Sequence, residues 1–419
     1  MATSGKHANN PGPAFAAPER SLVATLRRRR RLREGLITLM YVAGALVLLV
    51  ALSFVSAGPR VEATVVAPVL GAVAGGMLAF TGVVFSLLLL VVQFGSTTFT
   101  PRLNLFRDDP LVKHSFAFFV ATTTYCFVAA LDMSNQVDVS AFLPILAVLA
   151  ALVALGLFRG LQTRALLSIQ LASVVESVAT RGRAVLERYY QEPHLEGAVA
   201  GRQERDDGIH VRWGGPARTV QQIDLAGLIA WTESEEVVVA IIVPIGSIVT
   251  MGEVLVTVYG DTGNPDRALA FIQTGLERTF DQDPMFAFRL LSDITLRALS
   301  PAVNDPATAI QVLSATQGLL KRLVGSKLDL SQVNAPDGRV RLMLALPTWE
   351  DFLTEAVDET ALAARAQPIV LQRLAGLLDD LDANAPADRR FAVQSRRHWV
   401  ATQLAAAGPL PGGPSLREG

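Results

Sequence analysis

The sequence predicts a mainly α membrane protein: four transmembrane helices, then a cytoplasmic α+β domain with a small β-hairpin or barrel-like module and a helical C-terminal part. Three observations carry this. Of 419 residues, 51% are apolar and only 18% charged, where a soluble domain has about a quarter charged. The long uncharged runs all fall before residue 159. Basic residues gather beside alternate ends of those runs, as expected of cytoplasmic loops.

Charge divides the chain. Residues 1–35 hold eight basic and two acidic groups, residues 36–158 four and five, and residues 159–419 twenty-five and thirty-one. The N-terminal tail is therefore basic and the C-terminal half acidic, which argues against nucleic acid as a partner of the larger part. The one cysteine, Cys126, excludes an internal disulfide, a zinc ribbon and a Cys-x-x-Cys pair. No two of the five histidines lie one helix turn apart, so no metal site is predicted.

The spans are read at about 36–57, 65–94, 115–131 and 139–158. The arginine-rich start of the first suggests a signal peptide, but the apolar run is too long for one, and a retained anchor is expected. The second reads as one helix, because turning at Gly75-Gly76 leaves a first leg too short to cross. Its Gly71, Gly75, Ala79, Gly82 and Ser86 make a stripe of small residues, with Gln93 beyond. Such stripes let helix backbones approach closely, so these residues are candidates for ordinary helix packing or for a pore-lining or subunit-facing surface. The third span carries Thr122, Thr123 and Thr124, whose hydroxyls can bond back to the preceding turn. None of the four spans, so bounded, contains a charged residue. That weighs against ion-coupled transport relative to a passive pore.

Leu161, Ala165, Ile169, Ala172, Val175 and Ala179 form one apolar face, predicting that the fourth helix continues as a stalk over 159–190. Residues 191–217 read as a linker. Residues 218–260 form a small β-rich module: a strand at 220–223, a helix at 225–234, and strands at 237–243 and 254–259 joined by a hairpin with Gly246 and Gly252 at positive backbone angles. The glycine spacing is similar to half of a biotinyl or lipoyl hammerhead, but there is no lysine between Lys113 and Lys321 to carry a cofactor. No cofactor is expected.

Residues 264–406 read as a helical domain, with a first helix over 267–280. Asp283-Pro284 and Asp305-Pro306 each place a carboxylate before a proline, as helix starts do. They predict an αα-hairpin, 284–299 and 306–324, turning at Ser300 to Asn304. Arg289, Asp293 and Arg297 stand four apart on the first helix, either as a solvated ladder or as a partly buried network at a subunit or domain contact. Thr348 and Asp351 make a capping box after a strand at 339–345. Helices at 368–383 and 386–406 precede a Pro/Gly-rich tail from 407 to 419, which, like residues 1–20, is expected to be disordered. The contact candidates are therefore Asp283, Arg289, Asp293, Arg297, Asn304 and Asp305.

Nucleotide loops, nucleophile elbows, zinc-protease helices and EF-hands are absent from the sequence, so an enzyme is not expected. The segments Gly82-Val83-Val84-Phe85-Ser86 to Gln93-Phe94, Phe99 to Leu103, Asp281-Gln282-Asp283-Pro284 and Leu296 to Ala309 resemble the bacterial predicted membrane proteins of domain of unknown function 2254. The likeness runs from about 35 to 400 and implies an inner-membrane protein with no assigned reaction. Three readings stand. The first is a homo-oligomeric channel or transporter in the lipid bilayer with a cytoplasmic gating or assembly domain. The second is a non-conducting scaffold or sensor, and the third a membrane-bound enzyme.

Eleven basic residues fall on one side of the spans and Arg60 alone on the other, which predicts that both termini are cytoplasmic. In a Cys126→Ser background, a cysteine at position 62 should be labelled from outside intact cells and one at position 109 should not. The reverse pattern contradicts this orientation.

Overall fold

A computed structural model describes residues 22–54, 59–98, 110–133, 136–168, 170–194, 207–328, 332–334 and 339–407. The expected N-terminal and C-terminal disorder, residues 195–206 of the linker, and the loop carrying Arg102 and Arg107 lie outside them.

Four long helices come first: α1 (Leu22–Ser53), α2 (Ala63–Thr98), α3 (Pro110–Met133) and α4 (Phe142–Ser168). Each contains a stretch long and apolar enough to cross a membrane: Gly35–Ser53, Ala63–Gln93, Pro110–Met133 and Phe142–Leu166. As expected, α2 is one helix; its 36 residues extend about 54 Å at roughly 1.5 Å each, well beyond a hydrocarbon core of about 30 Å. Two short strands, β1 (Arg60–Glu62) and β2 (Asp138–Ser140), pair antiparallel and tie the α1–α2 connection to the α3–α4 connection.

The third span, the shortest by sequence, is the centre of the bundle. Ala117, Phe119, Ala121, Tyr125, Cys126, Ala129 and Met133 of α3 are buried among residues of α2 and α4 such as Leu70, Met77, Val84, Leu143 and Ala154. Thr123 and Thr124 donate back to the carbonyls of Phe119 and Val120, so their hydroxyls are satisfied within the helix. The helix also starts earlier than the apolar run suggests, at Pro110. That brings Lys113 and His114 into the candidate span, and α4 likewise includes Arg159 and Arg164. The helices thus continue past the uncharged runs into flanking charge.

The expected unbroken stalk is also corrected. Helix α4 ends at Ser168, Gln170 adopts an extended backbone, and α5 (Leu171–Tyr189) starts anew. The reason is packing. The apolar face of α5, with Val174, Val175, Val178 and Leu186, is buried in the main core of the C-terminal half and cannot simply prolong α4 into solvent.

Eight strands and further helices follow among the described residues. Inside the presumed linker lies β3 (Ile209–Arg212). After it come β4 (Arg218–Ile223), α6 (Leu225–Ser234), β5 (Val238–Ile241), β6 (Ile248–Val249), β7 (Val254–Tyr259), a 3-10 turn Pro265–Phe271 and β8 (Ile272–Gly275). The last two replace the helix expected over 267–280: Ile272 and Thr274 are β-branched, and β8 pairs antiparallel with β4. Helix α6 starts as read, with Asp224 accepting from the Gly227 N–H.

Beyond them are α7 (Phe286–Ala298), α8 (Pro306–Val324), β9 (Gln332–Asn334), β10 (Val340–Leu344) and α9 (Trp349–Leu353). A π-helical turn Thr354–Asp358 leads into α10 (Glu359–Ala363) and a 3-10 turn Ala364–Ala366, followed by α11 (Pro368–Asn384) and α12 (Ala387–Ala407).

Two sheets form, in orders β3-β7-β5-β10-β9 and β6-β4-β8. Strands β5 and β7 are antiparallel neighbours, but they do not make the simple hairpin expected. Between them the chain passes through β6, which pairs with β4 in the other sheet. Gly246 and Gly252 do take positive φ, at 90° and 85°. Val220, Ile223 and Val249 of one sheet share a core with Val239, Val256, Val258 and Leu342 of the other. Strand β10, from far along the chain, is parallel to β5 and joins this module to the helical part. The helical part has its own core, built from α5, α7, α8, the π-helical region, α11 and α12.

Candidate functional site

The stripe on α2 faces outward. Gly71, Gly75, Ala79, Gly82, Ser86 and Gln93 are all exposed in the single chain, and a Cβ added at Gly71, Gly75 or Gly82 would meet nothing within 4 Å. The face of α2 that packs inside the chain is a different one, marked by Ala63, Val66, Leu70, Ala74, Met77 and Val84. The stripe therefore does not pack against the other helices of its own chain. The Ser86 hydroxyl bonds back to the Gly82 carbonyl.

The other candidates lie around α7. Asp305 caps α8 as read, accepting from the N–H and hydroxyl of Thr308, and these bonds hold its carboxyl below the usual range. Asn304, in the turn before it, has φ 49°, a left-handed conformation that asparagine tolerates. Its side-chain oxygen accepts from Gln367 at 2.6 Å.

Asp283 does something different from the cap expected of it. The helix starts two residues later than its Pro284 suggested, with Met285 at the N-cap, and Asp283 is 1% exposed. Its carboxylate takes a two-pronged ion pair from Arg278, 2.6 Å from Nε to Oδ2 and 2.9 Å from Nη2 to Oδ1, and accepts the Met285 N–H at 3.0 Å. Burial pushes this carboxyl above the usual range, against the pull of Arg278 and the backbone N–H groups of Met285 and Phe286. The Arg278 guanidinium lies 5.6 Å from the centre of the Phe286 ring. Over the pair sits the turn at Gly246, where any Cβ would overlap the Asp283 carboxylate. Glycine is needed there twice, for the positive φ and for the close approach.

Arg289 and Asp293 are brought together, at 2.7 Å, while Arg297 is exposed. The larger partners of Arg289 come from another element. Glu359 accepts from Nη2 at 2.8 Å. Glu355 Oε1 lies 3.0 Å from Nη1 without the alignment for a hydrogen bond, so charge alone joins them. Burial opposes the Arg289 charge, yet Glu359, Asp293 and Glu355 hold its pKa above the ordinary value. Glu355 is itself raised by burial, with Arg289 and Arg278 pulling the other way. It stands in the π-helical turn, whose Glu355 carbonyl accepts from Ser292 Oγ at 2.6 Å. On the far side of the turn, Arg396 holds Asp358 at 2.6 Å and Glu350 at 2.8 Å. Two arginines thus fasten one acidic, irregular turn between α7 and α12.

Sequence reasoning missed Arg278, Gln282, Glu355 and Gly246's partner. Gln282 and Glu355 meet partners 59 and 66 residues away, and Arg278 reaches Asp283 across five residues of irregular chain, so no regular helix or strand spacing marks them. Among the described residues no group of three or more histidine, cysteine or carboxylate side chains is placed to hold a metal.

Four apolar helices followed by an α+β region define a membrane protein with a large extramembrane part. The chain belongs to the family described as predicted membrane protein (DUF2254), whose model matches residues 35–380. It is 29% identical over 351 residues to an uncharacterised protein of Mycobacterium bovis, covering 78% of this chain and 66% of the relative. Uncharacterised proteins of two Mycobacterium tuberculosis strains match at 28% and 29% with the same coverage. The chain thus spans just under two thirds of the length of these relatives. No solved structure matches it.

Removing Arg289 should cost more than removing Asp293. Asp293→Ala leaves Arg289 with two carboxylates, a loss of about 1 kcal/mol. Arg289→Ala leaves Glu355 buried without its nearest cation, about 3 kcal/mol. Asp305→Ala, a helix cap, should cost about 1 kcal/mol. Thermal or denaturant unfolding of the three variants checks this order, and equal losses for Arg289→Ala and Asp293→Ala contradict it.

Proposed function

We propose that the protein is a homo-oligomeric channel or transporter of the bacterial inner membrane, with both termini cytoplasmic and the C-terminal α+β region serving to gate or assemble it. The observation that carries this reading is the outward stripe of α2. The middle of the four-helix bundle is filled by Phe119, Tyr125, Cys126 and Ala129 of α3, so a path through lipid has to lie between copies rather than within one. Small residues at Gly71, Gly75, Ala79, Gly82 and Ser86 let a second helix backbone approach α2 closely. Lys113 at the start of α3, with Arg159 and Arg164 near the end of α4, supplies charge at what this reading takes as the inner mouth. The reading assigns no catalytic step, because the carboxylates around α7 are engaged with Arg278, Arg289 and Arg396.

The second reading, a non-conducting scaffold or sensor, is favoured by a specific observation. The α+β region is built around α5, which directly follows the fourth span, and such continuity serves signalling as well as gating.

Gly82→Leu separates the outcomes. On this reading it lowers the oligomer mass of the purified protein and abolishes conductance in planar bilayers. Unchanged mass and thermal stability would mean that the α2 face meets lipid, and absent conductance in the intact wild-type oligomer would favour the scaffold.

A further inference from the structure

Just past α5, residues 192–194 form a short strap that is fastened to the chain at the end of α8. The His194 N–H donates to the Gly325 carbonyl at 2.9 Å and the Lys327 N–H to the Glu192 carbonyl at 2.7 Å. Pro193 is bridged to Ser326 between them, and Lys327 Nζ holds the Glu192 carboxylate at 2.9 Å.

The His194 side chain is held from α12. Its Nδ1 lies 3.2 Å from Nη2 of Arg389, and its Nε2 lies 3.0 Å from Oδ2 of Asp388. A guanidinium can only donate and a carboxylate only accept. Both contacts are therefore hydrogen bonds at once only when Nδ1 is bare and Nε2 carries the proton, which is the neutral ring in one tautomer. Arg389 is not free to turn away. It is 6% exposed, its Nη1 donates to the carbonyls of Leu323 and Val324 at 2.9 Å each, and its guanidinium lies 5.8 Å from the centre of the Trp349 ring. Burial already disfavours its charge, with Asp388 pulling the other way.

We propose that His194 is a pH-sensitive latch, which fastens the strap to α12 and the end of α8 while its ring is neutral and releases it when the ring takes up a proton. A proton on Nδ1 turns the acceptor facing Arg389 into a donor and sets a second positive charge against a pinned and buried one. Asp388 attracts the charged ring, but its side chain is 54% exposed against 15% for His194, so water screens that attraction more than it screens the repulsion. The latch is closed at high pH and opens as the pH falls through the interval of about 5 to 8 in which histidine rings change charge. The charged groups concerned are Asp388 and Arg389 from α12, and Glu192 and Lys327, which pair with each other across the strap. The strap joins the helical core to the chain that leads on to β3, so the device regulates the tether of the β-rich module. It goes beyond conduction and holds for a channel and a scaffold alike.

Hydrogen exchange of the full chain in lipid nanodiscs tests it, read over residues 190–194 and 321–328 and corrected for the intrinsic effect of pH on exchange. Between about pH 7.5 and about pH 5.5 the wild type should lose protection there roughly tenfold relative to residues 306–318. His194→Gln, whose amide can accept from Arg389 and donate to Asp388 with no proton to gain, should be equally protected at both pH values. If that variant does not fold, the ring-nitrogen NMR shifts of wild-type His194 decide the matter. They should show a proton on Nε2 alone at about pH 7.5 and a second proton arriving over the interval in which protection is lost. Equal wild-type protection at both pH values would overturn the proposal, as would a His194→Gln protein that loses as much protection as the wild type, or a His194 ring with its proton on Nδ1 at the higher pH.

Discussion

The close fit of α5 against α7 and α8 is the contact on which the C-terminal half depends. Gly182 lets α5 settle onto Ala287 and Leu319, and Val174, Val175, Val178, Val185 and Leu186 are buried along the same face. At about 2 kcal/mol for each such side chain, burial of this face contributes on the order of 10 kcal/mol before the cost of ordering the chain. That is comparable with the whole stability of an ordinary domain. A helix leaving the membrane with so apolar a face must cover it, and α7 and α8 are the cover. The membrane-proximal helix is therefore the seed of the helical core and not a spacer. The same requirement explains the break after Ser168, since α4 packs in the apolar bundle while α5 packs against α7 and α8.

Around this core the polar groups serve docking. Arg278 and Asp283 are buried together beneath the Gly246 turn, and Arg289 draws Glu355 and Glu359 onto α7. A buried pair of this kind adds little net stability, because desolvation offsets attraction, but losing one member is costly. Its effect is to make one arrangement of the module and the helices much better than its neighbours. In the four-helix bundle the hydroxyls of Thr81, Thr123 and Thr124 bond back within their own helices, Tyr125 donates across to the Leu143 carbonyl of α4, and apolar side chains pack around α3, including Phe80 against Phe119 and Phe158.

Features written in adjacent residues were legible in the sequence. Asp305 before Pro306, Thr348 with Asp351, Gly246 and Gly252 at positive φ, and the four apolar runs all carry their cause within a few positions. Features decided by partners far along the chain were not. Residues 272–275 become a strand only because β4 lies beside them, and β10 joins β5 across about a hundred residues. The Arg289 network was half legible. The four-residue spacing shows Asp293, while Glu355 arrives from a π-helical turn and Glu359 from the start of α10 just after it, an irregular register that hides both. The α2 stripe was legible as a pattern, but which side of the helix faces the chain depends on where α3 lies.

The most direct test of this account is cooperative unfolding of two soluble fragments, one from Leu171 to Ala407 and one from Arg218 to Ala407, followed by circular dichroism. If α5 is the centre of the core, the longer fragment unfolds in one sharp thermal transition, while the shorter one, stripped of its cover for α7 and α8, shows no cooperative transition. A shorter fragment that unfolds as sharply and at the same temperature as the longer one would contradict the account.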